Sequence, residues 1–161
     1  RKGKTRKFTR TGKIHMTSKL YFEDIQVGDK FVGDTVVAER EKMLSFAAEF
    51  DDQPMHLDAD AARGMGLKDI IATGSYIFAL HAKSQLAIWK RFHMLPSGLG
   101  IQISFLLPMY AGDTLAGEME ILATRQSSKP GRGWIDAKVI FKNQNGDDAV
   151  ESKAALLLIC R

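Results

Sequence analysis

The chain has one cysteine, Cys160, beside the terminal Arg161. A single thiol excludes an intramolecular disulfide and a thiolate-rich zinc site, and a thiol so near a chain end is read as a small strand residue, not a nucleophile. No apolar run reaches the length that spans a bilayer, so no membrane partner is expected, and the expected location is cytoplasmic. Acidic residues are missing from residues 1–15, which hold seven Lys or Arg (Arg1, Lys2, Lys4, Arg6, Lys7, Arg10, Lys13). Removing those seven from the chain's 23 basic residues leaves 16 against 19 acidic, so residues 16–161 carry a net −3. The overall charge of +4 is therefore the head's, and it does not mark the rest as a binder of nucleic acid. Gly3, Gly12 and the threonines break any amphipathic period in this head, and His15-Met16 resembles a junction before an initiator Met. Residues 1–15 are expected to lie outside the fold, as a tag or leader, and residues 16–161 to form one domain. A total of 161 residues with 45% hydrophobic content suffices for one buried core.

Periodicity divides that domain. Phe31 to Ala38 reads as a strand, Glu41 to Phe50 as a short helix with Met43, Leu44, Ala47 and Phe50 on one face, and Asp58 to Met65 as a helical turn. From Gly74 to about Phe92, Tyr76, Ile77, Phe78, Leu80, Leu86, Ile88, Trp89 and Phe92 occupy nearly every azimuth of a helix, which must then be covered on most sides. The cover comes from alternating strands: Ile101 to Leu107, Leu115 to Ala123, Ile135 to Phe141, and Ala149 to Ile159 after an Asn145-Gly146 signal for a two-residue hairpin. An α+β domain follows, an antiparallel sheet curled around one long central helix. Such a sheet leaves an edge strand and part of the helix open, so a homodimer or higher homo-oligomer is expected.

The candidate chemistry lies between the two helices. In Asp51-Asp52-Gln53-Pro54-Met55-His56 an acid and an imidazole flank a segment that Pro54 takes out of the helical conformation. The two can converge on one water molecule, and proton transfer by such groups is worth ~10²–10⁴ in rate. Asp58-x-Asp60 superficially suggests a calcium loop, but the glycine falls at the seventh position and Ala62 occupies the fifth, so no metal is assigned. His81 is read as a buried, hydrogen-bonded core histidine, and His93 as a residue near the C-terminal end of the central helix, where a cation suits the dipole.

That hexapeptide, with Leu57-Asp58-Ala59-Asp60-Ala61-Ala62, Ile71-Ala72-Thr73-Gly74 and Phe105-Leu106-Leu107-Pro108-Met109-Tyr110-Ala111-Gly112-Asp113-Thr114-Leu115, resembles the MaoC-like dehydratases, which include the R-specific enoyl-CoA hydratases and have the hotdog fold. The resemblance runs over roughly residues 20–160 in the right order. It implies an enzyme that reversibly hydrates a trans-2-enoyl thioester, with acyl-CoA as substrate and no cofactor. Asp51 and His56 would be the catalytic dyad. Gly74, at the head of the central helix, would offer an unpaired backbone N–H to the thioester oxygen, where a side chain would block the approach. Many of these hydratases carry Gly before the Asp and Asn two residues after it; here Phe50 and Gln53 stand in those places. Phe50 is expected to reshape the pocket mouth and Gln53 to reach one methylene further. Pro54 should fix the turn, Ser75 should cap the central helix, and Ser75 and Tyr76 should border the substrate. Two other functions fit a chain of this kind: a hotdog thioesterase, which would release free thiol, and a non-catalytic module binding acyl thioesters or nucleic acid through the basic head.

Overall fold

A computed structural model describes residues 19–97 and 100–161; the basic head lies outside the described residues. After a 3-10 turn at Phe22–Asp24 come β1 (Lys30–Val32), β2 (Val36–Val37), α1 (Arg40–Phe50), α2 (Pro54–Leu57), α3 (Ala59–Gly64), α4 (Gly74–Trp89), β3 (Ile101–Phe105), β4 (Thr114–Gln126), β5 (Arg132–Lys142) and β6 (Asp148–Ile159). The strands form one antiparallel sheet in the order β1-β4-β5-β6-β3, with β2 also on β4. Alternation in β4 and β5 turns Leu115, Met119, Ile121, Ile135, Val139 and Phe141 to one face, and these pack with Ile77, Leu80 and Ile88 of α4 in a single core. The hotdog arrangement, a long sheet wrapped on one central helix, is thus present. Among the described residues no helix is long and apolar enough to cross a membrane.

Four local expectations are corrected. The strand foreseen over Phe31 to Ala38 breaks after Val32, because Gly33 passes so close to α4 that a Cβ there would lie 2.6 Å from the Ser84 carbonyl oxygen. Gly33 N–H still donates to Gly117 O on β4, but Asp34 turns its N–H to Ser84 O and leaves the ladder there. The central helix stops at Trp89, not Phe92, since Leu20 takes up the chain there: its N–H donates to Arg91 O and its carbonyl accepts from His93 N–H. His93 consequently stacks on Tyr21 at 4.0 Å and does not cap the helix. The Asn145-Gly146 pair sits in a five-residue connection, residues 143–147, because Asn143 Oδ1 accepts the N–H groups of Asn145 and Asp147 at 2.9 and 3.0 Å and widens the turn.

Among the described residues one side of α4 stays open, with Phe78 and Leu86 exposed on the helix. Ile101 and Phe105 are exposed on the edge strand β3, and the Phe105 ring lies close to Gly74 at the head of α4. This is the open edge and helix face for which a second copy was expected.

Candidate active site

Helix α1 ends at Phe50 because Asp51 leaves the helical region (φ −162°, ψ 76°) while its N–H still donates to Ala47 O. Gln53 is extended, as a residue before proline must be, and Pro54 then starts α2, where its missing N–H costs no helical bond. Pro54 therefore both ends the preceding segment and opens the next turn. That one turn carries His56 inward to 5% exposure.

The imidazole is held at one nitrogen. Nδ1 lies 2.8 Å from the carbonyl oxygen of Ile71, which can only accept, so Nδ1 carries a hydrogen. In the neutral ring Nε2 is then an acceptor, and it faces Asp51 Oδ2 at 3.7 Å. That separation is too long for a direct hydrogen bond and brings two acceptors toward one point. A water molecule, which has two hydrogens to donate, suits that point. The second Asp51 oxygen is held by Gln53, whose Nε2 donates to Oδ1 at 2.7 Å. Gln53 thus orients the carboxylate from beside it. Asp51 remains 31% exposed, open to a substrate, whereas His56 is enclosed.

The Ile71 carbonyl is fixed from both directions. Ile71 N–H donates to Met55 O, Ala72 N–H donates to Met109 O, and Ile71 forms a bridge with Tyr110. Two residues on, Thr73 caps α4: its Oγ1 accepts Tyr76 N–H at 3.0 Å and its carbonyl accepts Ile77 N–H. The cap is therefore Thr73 and not Ser75, which stands exposed in the first turn. The N–H groups of Gly74 and Ser75 have no intrahelical acceptor and lie at the positive end of the helix dipole. A Cβ on Gly74 would come 3.0 Å from the half-exposed Phe105 ring, which would have to shift to admit it.

The remaining candidates separate. Phe50 is 64% exposed on the surface beside Asp51, its ring 4.8 Å from that of Phe46. Tyr76 lies buried under α1, 5.6 Å from Phe46; burial raises the pKa of its phenol above the ordinary value, with smaller opposing influences from Glu39 and Lys42 at the start of α1. Asp58 Oδ1 accepts the N–H groups of Asp60 and Ala61, which makes it the N-cap of α3. Asp60 pairs with Arg63. Ile71, Thr73 and Phe105 fall in the stretches that carry the family resemblance, but the sequence assigns them no role in the site. Only Thr73 carried a local signal, a hydroxyl one residue before a helical run.

This arrangement can be set beside known proteins. The family model described as MaoC like domain matches residues 13–141. A MaoC-like dehydratase from Rhodospirillum rubrum superposes with a TM-score of 0.77 at 29% identity, over 88% of this chain and 98% of that one. The unliganded R-hydratase PhaJ1 from Pseudomonas aeruginosa gives 0.65 at 26% identity, over 89% of this chain and 88% of its own. The uncharacterized protein YdeM of Bacillus subtilis is 25% identical over 142 residues, 86% of this chain and 99% of its length. With a match over residues 13–141 and the fold in agreement, the chain belongs to the MaoC-like domain family.

Proposed function

We propose that this protein adds water reversibly across the double bond of a trans-2-enoyl thioester, with coenzyme A as the thiol, giving a 3-hydroxyacyl thioester. The observation that carries this is the pair of acceptors, Asp51 Oδ2 and His56 Nε2, 3.7 Å apart with the imidazole tautomer held by Ile71 O. A water donating to both has its oxygen lone pairs free for C3. As the C–O bond forms, the pair takes one proton from the water and returns one to C2, and negative charge gathers on the thioester oxygen. The N–H of Gly74 at the start of α4 is suited to stabilise that charge; one such donor is worth ~10²–10³ in rate. Support also comes from the Rhodospirillum protein, a MaoC-like dehydratase, and the Pseudomonas one, an R-hydratase.

The same reading includes a homodimer. The edge strand β3 exposes Ile101 and Phe105, α4 exposes Phe78 and Leu86, and a second copy would cover this open edge and helix face. The test follows loss of enoyl absorbance from crotonyl-CoA while titrating free thiol in the same cuvette. Loss of absorbance without thiol is expected. Thiol release at the same rate would make the protein a thioesterase and refute the proposal.

A further inference from the structure

The half-buried corner between Tyr110 and Thr114 is built around one carboxylate that the hydration chemistry does not touch. Asp113 Oδ2 accepts the N–H of Tyr110 at 2.8 Å, and its Oδ1 accepts Gln144 Nε2 at 2.7 Å. Gln144 in turn accepts Thr114 N–H through Oε1, tying the corner to the β5–β6 connection. The backbone closes the same turn: Asp113 N–H donates to Tyr110 O, and Gly112 adopts φ +89°, a conformation that glycine takes without strain.

Two arms leave this corner and reach the two halves of the candidate dyad. On one arm, Tyr110 bridges Ile71 and Met109 O accepts Ala72 N–H, so the corner holds the strip whose Ile71 carbonyl fixes His56 Nδ1. On the other, Asp113 O accepts Ala38 N–H and Gly112 N–H donates to Ala38 O. Ala38 lies two residues before α1, the helix that delivers Asp51 at its opposite end.

We propose that Asp113 is a positioning residue for the dyad, one that holds His56 in its Nδ1–H tautomer by fixing the Tyr110–Ile71 contact; the catalytic part of this rests on the hydratase reading, the tautomer part does not. Without the carboxylate, Tyr110 N–H and Gln144 lose their shared acceptor and the Ile71 carbonyl loses its backing. An imidazole freed at Nδ1 populates the Nε2–H tautomer, which cannot accept from a water shared with Asp51.

The test uses the full chain and the variants Asp113→Ala, Asp113→Asn and Gln144→Ala, with Asp148→Asn, which breaks the Lys142 ion pair flanking the same β5–β6 connection, as control. Nitrogen-15 NMR of the imidazole, assigned with His56→Gln, reads the tautomer whether or not any substrate is turned over. Wild type and Asp148→Asn should show Nδ1–H, Asp113→Ala a mixture, and Asp113→Asn, which keeps an acceptor for Tyr110 N–H, a return toward wild type. Gln144→Ala, which leaves the Tyr110 bond in place, keeps the structure intact if Asp113→Ala fails to fold, and should show a smaller shift in the same direction. With crotonyl-CoA, kcat should fall about tenfold in Asp113→Ala with KM unchanged, a part of the ~10²–10⁴ that acid–base catalysis contributes. An unchanged tautomer in both Asp113→Ala and Gln144→Ala overturns the inference, as does an equal change in Asp148→Asn. Absence of hydration by the wild type overturns the proposed function alone.

Discussion

Lowering the pH from 7 to 4 should destabilise this protein through His81, a residue outside the candidate site. His81 is 3% exposed in the middle of α4; its Nε2 lies 2.7 Å from Ser152 Oγ, and its Nδ1 has no partner among the described residues. The rings of Phe141 and Phe78 flank it at 4.9 and 5.9 Å. Burial there disfavours the charged ring and lowers its pKa from 6.5 to about 4. The folded form thus stays neutral where the unfolded chain is already protonated. Stability from this source is complete above pH 6.5 and falls as the pH passes from 6.5 to about 4. At about 1.4 kcal/mol for each pH unit of that window, the loss totals about 3 kcal/mol, a large share of the ~5–15 kcal/mol that holds a typical domain together. The assay is urea unfolding at fixed protein concentration at pH 7.5, 6.5, 5.5 and 4.5, comparing wild type with His81→Gln, which can still bond Ser152 but does not titrate. Titrations common to both proteins cancel in the difference. The wild type should lose about 2.5 kcal/mol relative to the variant across the series, which stops half a pH unit short of the folded pKa. Parallel curves would refute the reasoning.

Three substitutions probe the architecture around the site. Gln53→Ala removes the donor on Asp51 Oδ1; the bond is exposed, so unfolding should change little, while kcat/KM for hydration should drop roughly tenfold, a part of the ~10²–10⁴ that acid–base catalysis contributes. Gly74→Ala keeps the backbone N–H but sets a methyl group where the thioester would approach, so kcat/KM should fall by ~10² through misplacement of the acyl group, yet unfolding free energy by less than ~1 kcal/mol, since the half-exposed Phe105 ring can swing aside. Gly117→Ala does the reverse: its Cβ would meet Gln85 Nε2 and Phe141 at 2.6 Å inside the core, and urea unfolding should report a loss of about 1–3 kcal/mol.

Features confined to a short stretch of chain were legible in the sequence. Met119, Ile121, Val139 and Phe141 alternate because one face of the sheet is buried, and the periodicity of α4 reflects its place against that face. Asp51 and His56 are five residues apart, so their proximity is almost a local property, and Pro54 between them marks the change of direction. What escaped depends on contacts between distant segments. A backbone carbonyl leaves no mark on sequence, and Ile71, fifteen residues beyond His56, reaches Nδ1 only because Met55, Met109 and Tyr110 hold its strip in place. The break at Gly33 follows from the closeness of Ser84 and Gln85, and the meeting of Phe105 with Gly74 from the position of the edge strand beside α4. Asn143 prevailed over the turn preference of Asn145-Gly146 because its side chain satisfies two backbone donors at once.

A mutant cycle on hydration tests most directly the claim that Asp51 and His56 act together on one water. The kcat values of wild type, Asp51→Asn, His56→Gln and the double variant are measured with crotonyl-CoA, with unfolding curves to confirm that each chain is folded. Groups that hold one water between them lose their effect together, so each single variant should fall by ~10²–10⁴ and the double variant by no more than the worse single one. Activity that survives both substitutions, or losses that multiply in the double variant, would contradict the account.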